Sequence, residues 1–207
     1  MFERSVFVNC PFDDKYLELL RPLLFTIIYL DFTPRIALER LDAGEARFNK
    51  IIELIGACKF GIHDLSRAKA ERVGEFYRMN MPFELGLDIG AKKFGGEQFA
   101  VKTVLVMEAE SYRHQATISD LSNADVAVHG NEPEEVVRSV RDWLNTAAGL
   151  EAEGTSAVWG AFLDFMASNY DTLKARGYSD KDIQRLSVPD LTRAITVWCQ
   201  NRRAAER

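Results

Sequence analysis

The sequence predicts an α/β fold, in which a doubly wound sheet of five parallel strands is followed by a C-terminal helical extension. Short β-branched and aromatic segments recur along the first 150 residues, and the stretches between them repeat apolar residues at helical spacing. The length of 207 residues fits one domain with a small appendage. Hydrophobic residues make up 47% of the chain and charged residues 28%, which excludes disordered and fibrous classes.

The strand segments are short and apolar, and they cover residues 5–9, 35–39, 60–65, 103–107 and 125–128. The predicted helices cover residues 13–29, 48–58, 81–90, 112–121 and 132–146. We expect Pro22 either to kink the first helix or to mark a second start. Strands that alternate with helices pair in parallel through right-handed crossovers, and the flavodoxin-like order 2-1-3-4-5 is the common five-strand arrangement.

The chain divides into an α/β domain over residues 1–147 and a C-terminal helical appendage over residues 157–207. The segment between them is small and polar, as in a linker. The appendage is rich in aromatic residues, namely Trp159, Phe162, Phe165 and Trp198. Because large apolar patches rarely stay exposed, these helices either pack back onto the α/β domain or join a second chain.

The composition limits which partners and which cellular location are expected. Lys and Arg number 26 against 31 Asp and Glu, so the net charge is −5 and no direct nucleic-acid binding is expected. The longest apolar stretch is broken by Arg21 and Pro22, and no signal peptide is evident, so we expect neither a membrane span nor secretion. Cys10, Cys58 and Cys199 are too widely spaced for a disulfide framework or a metal site, which favours the cytoplasm.

The functional site of such a fold is expected at the carboxyl ends of the strands, near the switch in strand order. The loops after the first and third strands and the helix that starts at Met81-Pro82 lie at that edge. The sequence has no GxGxxG, no GxxxxGK[ST] and no GxSxG motif, which excludes the commonest α/β enzymes.

Glu84 is the candidate catalytic residue. We expect it in the first turn of its helix, where the helix dipole favours an ionised carboxylate. Such a group could stabilise or attack the positive anomeric carbon that forms as an N-glycosidic bond breaks. Acidic residues also favour helix starts for structural reasons alone, and that alternative stays open.

Other polar residues at the same edge are candidate substrate-binding groups. Asn9 ends the first strand, and Asp64 could hold ribose hydroxyls or merely cap a turn. Ser66 and Asn80 are possible hydrogen-bond donors or ordinary capping residues. Arg47 could bind phosphate or simply pair with an acidic neighbour, Glu45 or Asp42.

Two further residues are expected to be structural. We expect His63 to be a polar residue on a partly buried strand. Asp88 lies one turn after Glu84, where it could raise the pKa of that residue, but we expect it to pair with Lys92 in solvent.

The segments NCPFDD, HDLS and MPFELG, in this order, resemble the nucleoside 2-deoxyribosyltransferase-like and Toll/interleukin-receptor (TIR)-like Rossmannoid families. These families include bacterial N-glycosidases and NAD-cleaving immune effectors, and the resemblance covers residues 5–146. It implies that Glu84 is the nucleophile, that Asp64 contributes to the sugar site and that Phe12 holds the base. Because TIR-like enzymes often work as assemblies, it also favours self-association through the C-terminal helices.

One departure from the resemblance concerns the ligand. Deoxyribosyltransferases usually carry an Asp six residues before the nucleophile, where this chain has Arg78. A cation there suits phosphate, so a nucleotide is expected rather than a nucleoside. The sequence therefore predicts a hydrolase that cleaves a ribosyl–base bond and needs no cofactor. The resemblance implies NAD as first candidate substrate and a role in antiviral defence. The alternatives are a non-catalytic nucleotide sensor and an interaction module.

Overall fold

The computed structural model describes residues 1–40, 42, 44–67, 79–116, 118–122 and 124–205. Its single sheet consists of five parallel strands in the order β2-β1-β3-β4-β5, which confirms the predicted fold class and strand order. The strands are β1 (Ser5–Asn9), β2 (Thr33–Ile36), β3 (Phe60–Asp64), β4 (Thr103–Glu108) and β5 (Val126–Val128).

The α-helices are α1 (Leu17–Tyr29), α2 (Arg47–Gly56), α3 (Asn80–Phe94), α4 (Glu97–Ala100), α5 (Pro133–Ala148), α6 (Thr155–Ala175), α7 (Asp180–Gln184) and α8 (Val188–Ala205). Short 3-10 helices cover Phe2–Arg4, Ala37–Glu39, His114–Ala116 and Ser119–Leu121. None of these helices combines the length and the apolar character needed to cross a membrane.

Several expected features of the elements differ in the structure: α1 begins at Leu17 rather than near Asp13, and α3 continues past Gly90 to Phe94. The second strand begins earlier and ends at Ile36, because the carboxylate of Glu39 turns back to accept a hydrogen bond from the backbone N–H of Ile36 at 3.3 Å. Where one helix was expected over 112–121, His114–Ala116 and Ser119–Leu121 each form a 3-10 turn. Helix α1 continues through Pro22, so that proline marks no second start.

The central strands are buried on both faces, as parallel sheets require. Val6 and Val8 of β1 pack into the main core with α1 and α5. Phe7, which alternates with them, packs on the opposite face against Ile51 and Leu54 of α2. The sheet therefore has helices on both sides, and its carboxyl edge is left for the connecting loops.

The C-terminal helices form a further layer that packs against α1. The ring of Phe25 in α1 is completely buried, and its centroid lies 5.5 Å from Phe162, 5.6 Å from Phe165 and 5.7 Å from Trp198. Helix α1 is thus covered by the sheet on one side and by α6 and α8 on the other, which explains why it is apolar nearly all round.

Polar contacts also join the C-terminal helices α7 and α8 to α1. The guanidinium of Arg21 donates to the carbonyl of Gln184 at 2.7 Å, and that of Arg203 donates to the carbonyl of Tyr29 at 3.1 Å. Of the two outcomes open to the aromatic appendage, packing onto the α/β domain is present in this chain. Self-association stays a prediction, although a second chain is not needed to cover Phe162, Phe165 or Trp198.

Candidate functional site

The carboxyl ends of β1 and β3 lie side by side, with Asn9 opposite His63. The amide nitrogen of Asn9 donates to the carbonyl of Met81 at 2.9 Å and to Nδ1 of His63 at 2.9 Å. The first contact ties the start of α3 to the strand edge. The two loops and the helix start predicted to form the site therefore meet. Asn9, expected to bind substrate, uses its amide donors inside the protein instead.

Glu84 follows Met81 in the same helix, three residues after the contact with Asn9. Helix α3 begins at Asn80, so Glu84 falls in the second turn, and the expectation of a first-turn carboxylate is wrong. The residue is 6% exposed, and within the described part of the chain no hydrogen bond reaches its carboxylate. Burial raises the pKa of Glu84 above its ordinary value of 4.5, and the nearby Arg47 guanidinium opposes that shift. The protonated form thus persists to a higher pH than in an exposed glutamate.

Arg47, the first residue of α2, is the ionic partner of Glu84. Its Nη2 atom lies 3.9 Å from Oε1 of Glu84, and its side chain is half-exposed. Glu45, which was an alternative partner, lies instead 3.1 Å from the ammonium of Lys50 and 3.3 Å from Arg40. Two predicted site residues from different helices are therefore brought together, with the cation on the solvent side.

Asp64 is a second buried carboxylate at the edge, and it is surrounded by donors. Its Oδ1 atom accepts hydrogen bonds from the backbone N–H of Ser66 at 2.8 Å and from the Ser66 hydroxyl. Its Oδ2 atom accepts from the Tyr16 hydroxyl at 2.5 Å and from Nε2 of His129 at 3.0 Å. Asp64 thus joins the loops that follow β1, β3 and β5.

The contacts of His129 and Tyr16 determine which of their atoms carry a hydrogen towards Asp64. Nδ1 of His129 accepts from the backbone N–H of Asn131 at 3.0 Å, so the ring hydrogen is on Nε2, which faces Asp64 and Ser66. Burial and the Asp64 carboxylate raise the pKa of Tyr16 well above 10.0, which keeps its hydroxyl a donor. Ser66 also lies within this cluster, where its hydroxyl is already bonded.

Cys10 is close to both carboxylates. It is completely buried, and burial, followed by the negative charges of Asp64, Glu84 and Asp13, raises the pKa of its thiol well above 9.0. Cys10 is therefore a neutral apolar group at the base of the site and not a thiolate nucleophile.

A second polar network lies beneath Glu84 and corrects two expectations. Asp88 is fully buried and does not pair with Lys92 in solvent: its carboxylate lies 3.0 Å from Nε2 of His63 and 3.1 Å from the ammonium of Lys102. Lys102 is also fully buried and donates to the carbonyls of Ile55, at 2.9 Å, and Cys58. His63 is buried rather than partly exposed, and it links Asn9 to Asp88.

Gly61 leaves the space that this network needs. A Cβ atom at this position would lie 2.1 Å from Oδ2 of Asp88 and 3.1 Å from Nε2 of His63. A glycine in the middle of a buried strand is unfavourable for strand formation, but here it admits a carboxylate directly against the backbone.

The remaining predicted site residues are Phe12, Asn80 and Arg78. Phe12 is half-buried and packs against the main core. Asn80 is the exposed first residue of α3. Arg78 lies outside the described residues.

Sequence reasoning missed Tyr16, His129 and Lys102. His129 directly follows β5, so a search of the ends of all five strands, and not only of β1 and β3, would have found it. The same search would have found Glu108 at the end of β4, which is buried and accepts a hydrogen bond from the backbone N–H of His114 at 3.0 Å. No comparable pattern marks Lys102.

The described residues include no group of three or more His, Cys, Asp or Glu side chains arranged to hold a metal ion. In comparisons with family models, curated proteins and solved structures, none matches this chain significantly.

Proposed function

We propose that this protein is a hydrolase that cleaves the ribosyl–base bond of a nucleotide, with NAD as the first candidate substrate. The observation that carries the proposal is Glu84: a carboxylate buried at the carboxyl edge of the sheet, held by a single long ion pair and by no hydrogen bond from the described residues. A carboxylate in that state retains its lone pairs for a substrate.

The chemistry follows from the charge that develops on the sugar. As the bond between C1′ and the base nitrogen breaks, the base leaves with the electron pair and C1′ becomes positive. The ionised Glu84 would stabilise that carbon or bond to it, and water would then supply the hydroxyl at C1′ and release a proton. A site with low exposure to water strengthens this electrostatic effect.

The residue types favour a base that needs no proton on leaving. Where deoxyribosyltransferases carry an acid before the nucleophile, this chain has Arg78. Nicotinamide departs from NAD as a neutral molecule because its ring nitrogen is already positively charged, so no acid is required. Arg47 and Arg78 would contact phosphate, and the half-exposed side chain of Arg47 is accessible to a ligand from the solvent side.

The direct test is to incubate the protein with matched nucleosides, nucleotides and NAD and to identify the products by chromatography. We expect nicotinamide and ADP-ribose from NAD, and a preference for nucleotides over nucleosides that shrinks as salt is added. Binding of a nucleotide that is never cleaved would support the sensor alternative and contradict the hydrolase.

Three wider expectations, namely location, self-association and a role in defence, depend on other observations. We assign the protein to the cytoplasm because Cys10, Cys58 and Cys199 are free and buried. Self-association through the C-terminal helices and a role in antiviral defence depend on the resemblance to TIR-like enzymes. Light scattering at micromolar concentration tests the first of these, and a monomer at every concentration would contradict it.

A further inference from the structure

Two adjacent pairs of residues face each other where α2 and α3 begin. Arg47 and Phe48 are neighbours in α2, and Phe83 and Glu84 are neighbours in α3. Across the gap, the charged residues form the 3.9 Å ion pair, and the aromatic rings lie with centroids 6.0 Å apart and planes inclined by 31°. An ionic contact and an aromatic contact therefore lie side by side.

The two rings are unusually exposed for phenylalanine. Phe48 is 51% exposed and Phe83 56%, although the apolar spacing of α2 alone would have placed Phe48 on the sheet side. The helix buries Lys50, Ile51 and Leu54 instead. The exposed ring faces offer a planar ligand an apolar surface on which to stack.

We propose that Phe48 and Phe83 bind the base of the nucleotide while Arg47 binds its phosphate. This inference rests on the proposed function and identifies its base site. A base stacked on these rings would bring its ribose towards Glu84, since the ring contact and the Arg47–Glu84 ion pair join the same parts of α2 and α3. The charged residues beside the rings favour a small ligand that is both aromatic and anionic over the apolar surface of another protein chain. The site differs from the Phe12 site that the resemblance implies, and Phe12 is half-buried against the core.

Binding measurements with matched ligands test the proposal. Nicotinamide mononucleotide and AMP each differ from ribose 5-phosphate by the base alone. Calorimetric titrations in a Glu84→Gln background keep the ligands intact. We expect Phe48→Leu and Phe83→Leu each to weaken binding of at least one of the two nucleotides roughly tenfold, and to leave ribose 5-phosphate binding unchanged. Phe94→Leu is the control, because Phe94 is on α3 and 91% exposed but outside this cluster.

Three outcomes would overturn the base site: no nucleotide binding, unchanged affinity in both variants, or an equal loss for ribose 5-phosphate. Concentration-dependent dimers that Phe83→Leu abolishes would also overturn it and would assign the rings to a second copy of the chain. Ring-dependent binding of nucleotides that the parent protein leaves intact would retain the base site and refute the hydrolase.

Discussion

Asp64 and Glu84 are two carboxylates buried at the same edge of the sheet, yet their surroundings differ. Asp64 accepts four hydrogen bonds, from Tyr16, His129 and twice from Ser66. Glu84 accepts none from the described residues and has one ion pair of 3.9 Å, with Arg47. Hydrogen bonds offset the cost of burying a charge, whereas a buried charge that is left nearly unpartnered costs stability.

This contrast distinguishes Glu84 from its buried neighbours better than its position alone does. Asp88, fully buried one turn after Glu84, also has close partners: its Oδ2 lies 3.0 Å from Nε2 of His63 and its Oδ1 lies 3.1 Å from the ammonium of Lys102. Among these carboxylates, Glu84 alone accepts no hydrogen bond from the described residues. Local features that reduce stability without evident compensation are typical of functional sites.

The largest expected effect on stability is at Asp64. Asp64→Asn replaces one acceptor oxygen by an NH2 group that faces existing donors, so we expect a loss of about 3 kcal/mol in the free energy of unfolding. Urea denaturation at neutral pH measures it, and Glu84→Gln is the matched comparison, with an expected change of less than about 0.5 kcal/mol. Equal losses in the two variants would remove the distinction between the carboxylates.

A second prediction tests whether the contacts of Asp88, like those of Asp64, contribute to stability. Gly61→Ala would place a methyl group 2.1 Å from the Asp88 carboxylate, and we expect a loss of about 2 kcal/mol from the displaced network. Gly56→Ala is the control, since a methyl group at this helical glycine has no atom within 4 Å. It should be neutral or stabilising by up to about 1 kcal/mol. A neutral Gly61→Ala protein would mean that the Asp88 network is loosely held.

The smallest effect concerns the charge of Glu84. Because burial raises the pKa of Glu84, the folded protein holds this proton more tightly than the unfolded chain does. The stability from this group is present below the unfolded pKa and is lost as the pH rises through the folded pKa. Glu84→Gln does not titrate, so its stability relative to the parent should increase from about pH 4 to about pH 7. A constant difference across that range would contradict the raised pKa.

The sequence was sufficient for the fold and for the sheet edge where the candidate residues meet. Short apolar segments alternating with helices led to the strand order, and parallel topology then identified the edge where Asn9, Asp64 and α3 meet. The pairing of side chains was not predictable in the same way. Tyr16 and His129 reach Asp64 from 48 and 65 residues away, and such contacts depend on how loops of different strands fold over the edge.

Burial of charge was the hardest property to predict. Asp88 and Lys92 are four residues apart on one helix, and that spacing alone favours a solvated pair. The structure instead pairs Asp88 with Lys102, which comes from the turn before β4. This pairing is possible because Gly61 has no side chain, so the Asp88 carboxylate can lie directly against the strand backbone. No local pattern in the sequence marks that arrangement.

The most direct test of Glu84 as the reactive carboxylate is the rate at which the parent protein and Glu84→Gln release nicotinamide from NAD. Thermal melting of both proteins first confirms that the variant is folded. We expect release by the parent and a rate at least about a hundredfold lower in the variant, because glutamine keeps the shape but removes the charge. Equal rates in a folded Glu84→Gln protein, or no release by the parent, would contradict the account.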